Sequence, residues 1–312
     1  SIYCLSLLIF LTVPAANAGT LNVFTTGANG FDTHTFWYDD GKEITIIDTQ
    51  FVPELATQAI QDIRSKSNNP ITRVIITHPN PDKFNGLSAL HKIGATSIAS
   101  QATADAMPGV HQYKKYFFVD IAKKFTEDSY PTFEAIQQTF NGRTQISLKS
   151  GENITLFELK NPGISSTQTV VRIDATGDLL VGDMIHHQAH AWLEGGIVAG
   201  KPQPDLSTWQ RALDELTTIK GVKRVYGGRG EFTDLKTAVT AQKKYLTAVQ
   251  DITSNYIKNL GDNKGELFDA ATAATHHLKL KQLISNAFPD YKLSYMTKYS
   301  IYGLAQKLAS DS

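Results

Sequence analysis

Residues 74–86 read Val74-Ile75-Ile76-Thr77-His78-Pro79-Asn80-Pro81-Asp82-Lys83-Phe84-Asn85-Gly86, an apolar run that empties into a loop bearing a histidine, an aspartate and a lysine. Val74, Ile75 and Ile76 are β-branched and predict a short buried strand. Pro79 and Pro81 forbid helix until after position 81, because proline fixes φ and lacks the amide proton. Titratable groups at the end of a core strand stand where α/β proteins place their chemistry.

Outward from this stretch, strand and helix alternate. Residues 21–49 carry β-rich text on both sides of Asp39-Asp40-Gly41-Lys42, and aspartate-glycine between such runs signals a hairpin. Residues 53–65 set Leu55, Ala59, Ile60 and Ile63 on one stripe, an amphipathic helix that makes the opening stretch part of a βαβ unit. Helix is expected at 87–93, with His91 on its surface, and a short strand at 97–100. Residues 101–142 are less regular and rich in aromatics between Tyr113 and Phe140, either a lid over a pocket mouth or an apolar helix packed on the core. Strand signals return at 146–148, 154–159, 169–173 and 179–181, the last ending in Gly182-Asp183. A helix at 206–219, a strand at 222–226 and the glycine loop Gly227-Gly228-Arg229-Gly230 follow. Beyond Thr233 the text is helical at 235–260 and 266–275, then ends in a tail with Tyr291, Tyr295, Tyr299 and Tyr302. Two strand-rich halves, each with its helices, fit an αββα sandwich.

The loop His78-Pro79-Asn80-Pro81-Asp82-Lys83 resembles the His-x-His-x-Asp-His metal motif of the metallo-β-lactamase superfamily. His78 and Asp82 match it, while Asn80 and Lys83 stand where histidines are usual. The family's later positions recur in order. Ile164 takes a histidine's place after Pro162-Gly163, Asp183 matches the metal-bridging aspartate, and Arg229 sits between glycines where the last histidine is usual. The resemblance implies the αββα sandwich and hydrolysis of an ester, lactone, amide or related bond.

The substitutions change what such a site can hold. Ile164 has no lone pair, Lys83 coordinates only as a neutral amine, and Arg229 is always protonated. At an effective dielectric of ~20, unit charges about 4 Å apart interact by ~4 kcal/mol, and a divalent ion doubles the repulsion. Two buried carboxylates without counter-charge would repel or take up a proton. Lys83 and Arg229 neutralise Asp82 and Asp183 one for one, so a four-residue ion-pair cluster is expected in place of a two-metal centre. His78 or a carboxylate would serve as general base and Lys83 or Arg229 as oxyanion partner, with Asn80, Ser165, Ser166 and His187 as candidate ligand contacts. The alternative is one zinc or other divalent ion held by His78, Asp82, Asp183, His186 and His190; if 184–190 is helical, His186 and His190 share one face. A third reading keeps the scaffold without catalysis and uses the cationic pair to hold an anionic ligand.

Composition bounds the rest. The 312 residues are 41% hydrophobic, enough for one large domain with an appendage. With 30 basic and 30 acidic residues, no polyanion-binding surface is expected, so the partner is a small molecule rather than nucleic acid. The apolar run from Ile2 to Val13 is too short to span a bilayer and ends in Pro14-Ala15-Ala16-Asn17-Ala18, which reads as the remainder of a secretory signal peptide. Cys4, the single cysteine, lies inside that run, so disulfides and cysteine-based zinc sites are not expected in the mature chain. The expected organisation is a signal remnant at 1–18, a metallo-β-lactamase-like domain at 19–232 and a helical C-terminal extension at 233–312, in a periplasmic or secreted bacterial protein without a stable membrane anchor. Oligomeric state is left open, and no cofactor is favoured.

Overall fold

The computed structural model describes residues 17–312; the expected signal remnant at 1–18 lies outside them except for Asn17 and Ala18. The first half builds a six-stranded sheet in the order β1 (Thr20–Thr25), β2 (His34–Asp39), β3 (Ile44–Ile47), β4 (Ile71–Ile75), β5 (Thr96–Ser100) and β6 (Gln138–Phe140). β1 to β3 pair antiparallel, the second turn falling at the Asp40-Gly41 signal. β3 to β6 pair parallel, because helices carry the chain back each time. Those helices are α1 (Pro53–Lys66), the single turn α2 (Pro81–Phe84), α3 (Leu87–Lys92) and α4 (Gln101–Tyr116).

The second half gives a five-stranded sheet from β7 (Arg143–Ser147), β8 (Asn153–Glu158), β9 (Thr169–Ile173), β10 (Asp178–His187) and β13 (Arg224–Gly230), with β10 between β9 and β13. A small hairpin, β11 (Gly196–Val198) and β12 (Lys201–Gln203), stands apart, and α5 (Leu206–Leu216) leads back to β13. The chain then runs through α6 (Leu235–Leu260), α7 (Ala273–Ala287) and α8 (Tyr295–Ser310).

Period-two alternation sorts the side chains into layers. In β2, Phe36 and Tyr38 face the second sheet and meet Ile154, Leu156, Val171 and Ile173, whereas Trp37 points the other way, into the layer of α1, α3 and α4. Across the second sheet Leu179 and Val181 pack with Trp209 and Leu213 of α5, Leu246 of α6, Ile284 of α7 and Leu304 of α8. The result is helices, sheet, sheet, helices, with the C-terminal helices covering the second sheet. No helix among the described residues is long and apolar enough to cross a membrane.

Three local expectations change. The segment after Asp183 is not helical: β10 continues to His187, because β13 pairs with it as far as His187 and Gly230. The glycine stretch 227–230 is the end of β13 rather than a loop. The last helices are Ala273–Ala287 and Tyr295–Ser310, so the tyrosine tail is helix from Tyr295 on, with Tyr291 in the connection before it.

Candidate functional site

The C-terminal ends of β4 and β13 and the middle of β10 converge on one point. After β4 the chain passes His78 and starts α2 at Pro81, a residue suited to the first helical position because its missing N–H would have no partner there. This single turn aims Asp82 and Lys83 inward. β10 slips register against β13 on both sides of Gly182, and Asp183 falls within that slip. Gly182 has φ of +56°, and a Cβ on it would lie 2.8 Å from His78 Nδ1 and 2.8 Å from Thr77 Oγ1. Gly228 is needed for closeness, since its Cβ would stand 1.9 Å from Asp183 Oδ1.

The structure brings Asp82, Lys83, Asp183 and Arg229 together. Lys83 Nζ lies 2.8 Å from Asp183 Oδ1 and 3.1 Å from Asp82 Oδ2. The approach to Asp183 is an ion contact rather than an aligned hydrogen bond. Arg229 bridges the same acids, Nη1 donating to Asp183 Oδ2 at 2.7 Å and Nη2 to Asp82 Oδ2 at 2.7 Å. Its Nε donates to the Phe31 carbonyl, and Thr33 Oγ1 accepts from Nη2 while donating to Asp82 Oδ2 at 2.7 Å. Lys83 is completely buried, and the other three are nearly so.

Burial alone would raise both carboxyls, but Lys83 and Arg229 outweigh it: Asp82 is held below the usual carboxylate range and Asp183 well below it. Burial would likewise discharge Lys83, yet the two acids raise its ammonium above the ordinary lysine value. All four groups stay ionised, and their charges sum to zero.

Behind them stands His78. Thr77 gives its one hydroxyl proton to buried Asp48 at 2.7 Å, so His78 Nδ1 donates to Thr77 Oγ1 at 2.9 Å. Its Nε2 is 3.7 Å from Asp183 Oδ2, beyond hydrogen-bond range, and has no other partner among the described residues.

The donor set does not fit the family's metals. Lys83 and Arg229 occupy the space between the two acids, Ile164 lies in the apolar core, and no three His, Cys, Asp or Glu side chains among the described residues stand close enough to share an ion. Nor are the later histidines assembled into the single-metal arrangement. Burial drives His186 down to about 3, leaving it neutral with both ring nitrogens unpartnered, and His190 Nδ1 pairs instead with the Tyr245 hydroxyl at 3.1 Å.

A small pocket opens onto this floor. Phe31, Phe51, Phe118 and Trp192 wall it, and Asp82, Asp183, Arg229, Asn80, Pro81 and Lys114 complete it; its enclosed volume is about 30 Å³. Of the expected ligand contacts, Asn80 lines the pocket and Ser165 reaches Asn80 Oδ1 at 3.3 Å, whereas Ser166 and His187 are not on its wall. Sequence reasoning did not single out Thr33, Phe31 or Phe51. Phe31 and Asp32 both have positive φ, and the resulting turn, which no local sequence signal announced, presents Phe31 O and Thr33 to Arg229. Lys114 was missed as well; it pairs with Glu194, which also accepts from Trp192 Nε1 and Tyr302.

Chemically, the floor holds charge without exposing it. Four of the five N–H groups of Arg229 are committed, and Lys83 faces only carboxylates. The cationic pair expected to hold an anion is therefore spent on the two acids. Among the described residues, all three partners of Asp82 sit on Oδ2 and none on Oδ1.

Comparison with known proteins agrees with this architecture. Residues 28–228 match the family model described as the metallo-beta-lactamase superfamily. Among solved structures, a metallo-beta-lactamase from Pontibacter korlensis superposes with a TM-score of 0.55 at 16% identity, covering 75% of this chain and 97% of that one. That likeness is one of fold.

Proposed function

The chain belongs to the metallo-β-lactamase superfamily, and from that premise we propose that it uses the hydrolase-type fold to bind a small organic molecule in the pocket of Phe31 and Trp192, without a metal ion. One observation carries the reading: Lys83 Nζ and the Arg229 guanidinium stand between Asp82 and Asp183, at 2.7–3.1 Å from their oxygens. A divalent ion placed there would meet two fixed positive charges, and removing either cation would leave a buried carboxylate uncompensated. Hydrolysis also needs donors free to receive the charge that develops on an oxyanion. Here those donors are almost all committed to carboxylates in the resting state.

A second reading, hydrolysis of an ester, lactone or amide-type bond, draws support from Asp82 Oδ1. Asp82 lines a space of about 30 Å³, enough for a water that its carboxylate could orient as general base. The apolar run at 2–13 and the absence of cysteine after Cys4 support a periplasmic or secreted setting for either activity.

The test uses the chain purified without added ions. Elemental analysis should find far less than one equivalent of any divalent metal, and chelator should leave the melting temperature unchanged. A panel of ester, lactone, β-lactam and phosphodiester substrates should show no turnover above that of Asp82→Asn. Near-stoichiometric metal whose removal lowers the melting temperature would sink the proposal. Metal-free turnover lost in Asp82→Asn would replace it with the second reading.

A further inference from the structure

We propose that the pocket recognises its ligand through a compact cationic head group, a protonated amine, with an apolar body that leaves past Phe118. The inference rests on the binding reading above and adds the chemical class of the ligand.

Most acidic oxygens around the pocket are already engaged. Both oxygens of Asp183 face cations, Oδ1 towards Lys83 and Oδ2 towards Arg229. Glu194 divides its oxygens between Lys114 with Trp192 and Tyr302. Asp82 is the exception, because Thr33, Arg229 and Lys83 all converge on Oδ2. The residue is 6% exposed and lines the pocket, so what it offers a ligand is Oδ1, a carboxylate oxygen with no partner among the described residues. An anion entering the pocket would meet that oxygen, and the Arg229 and Lys114 charges on the lining are already balanced by acids.

The walls favour the same sign of charge. Phe31 is packed edge-on against Phe51 at 4.9 Å and against Trp192 at 5.8 Å between ring centroids, and lies 5.9 Å from Phe118; Phe51 and Phe118 are 5.0 Å apart. Ring faces carry negative quadrupole and attract cations, most strongly in desolvated sites. Two of these rings already draw ammonium groups, Lys114 at 5.2 Å from Trp192 and Lys124 at 5.3 Å from Phe31. Lys114 does not counter a cationic ligand, since Glu194 neutralises it.

Size limits the head group. A water needs roughly 10–15 Å³ of such space, and the pocket encloses about 30 Å³. Two waters, or one group the size of methylammonium, fit there. Phe118 roofs the space from the π-helical turn Phe117–Ile121 that follows α4, and such turns recur at functional sites because they displace one side chain out of the helical pattern.

The experiment titrates the full chain with n-butylammonium, 1-butanol and butyrate, three probes of matched shape and different head-group charge, and follows the Trp192 indole N–H resonance. Butylammonium should bind at least tenfold more tightly than butanol, with no saturable effect of butyrate. Asp82→Asn should remove that tenfold preference. Phe118→Leu, which touches no ion pair, should weaken butylammonium several-fold and serves if Asp82→Asn does not fold. Equal binding of butylammonium and butanol, or tightest binding of butyrate, overturns the head-group assignment while the binding reading stands. If no probe moves the Trp192 resonance, both fall.

Discussion

Lys83 has no route to solvent, so its charge depends entirely on two carboxylates. Replacing it by methionine keeps the length of the side chain and removes the ammonium, leaving two acids to share one guanidinium. Breaking a buried ionic network from one side costs roughly 3–5 kcal/mol, and Lys83→Met is expected to lower the urea-unfolding stability by about that amount. Adding Asp183→Asn should restore part of the loss, because the excess negative charge disappears. A loss below about 1 kcal/mol would mean that the acids had simply protonated. The convergence of these four residues was legible in the sequence, because complementary charges stood at positions whose order along the chain follows a known motif. Thr33 and Phe31 were not, since they contribute through a turn with positive φ and a backbone carbonyl rather than through side-chain type.

At the scale of elements, patterns fixed by local period were easiest to read, and those fixed by a distant partner were hardest. The stripe Leu55, Ala59, Ile60, Ile63 is a helix, and the run from Val74 ends a strand, because each carries its own periodicity. The residues from Met184 to His190 fit helix or strand by spacing, and pairing with β13 decides for strand as far as His187. His91, expected on a helix surface, instead joins Ser97 Oγ at 2.8 Å to Glu134 at 2.6 Å. Ser97 is fully buried and also accepts from the Gln137 amide, so this serine, histidine and glutamate lace the loop before β6 to β5 and present no nucleophile to solvent. α4, which leads into the pocket roof, carries Pro108 and Gly109 in its interior. A Cβ at Gly109 would meet nothing within 4 Å. Gly109→Ala is therefore expected to stabilise the protein by about 0.5–1 kcal/mol through reduced freedom of the unfolded chain, seen as a rise in the thermal midpoint. A fall would show that α4 needs the flexibility of this glycine.

Over the whole molecule, the C-terminal helices are built into the site as well as onto the second sheet. Tyr295 of α8 donates to Asp32 beside Phe31, and Tyr302 of the same helix donates to Glu194, the partner of Lys114. The tail showed its tyrosines in sequence but not their targets, which lie more than 100 positions away. Such a fold buries histidines that cannot charge, and this governs its response to acid. Burial lowers His34 to about 4, His186 to about 3 and His190 to about 4, against an ordinary value of about 6.5 in the unfolded chain. Between those limits the unfolded state binds protons that the folded state refuses, so stability must fall as pH drops from about 6.5 towards 4. Asp82 and Asp183 add nothing to that window, because depressed carboxyls lose their contribution only as pH falls from the usual carboxylate value through their folded ones. Lys83, raised in the fold, contributes in full below the ordinary lysine value and loses that contribution only as pH rises from there through its folded one. Urea midpoints should therefore be level from about pH 7 to 9 and decline steadily below about 6.5. Replacing His34 and His190 by asparagine should flatten that decline; a midpoint that stays constant or rises between pH 7 and 5 would show that these histidines are charged in the folded protein.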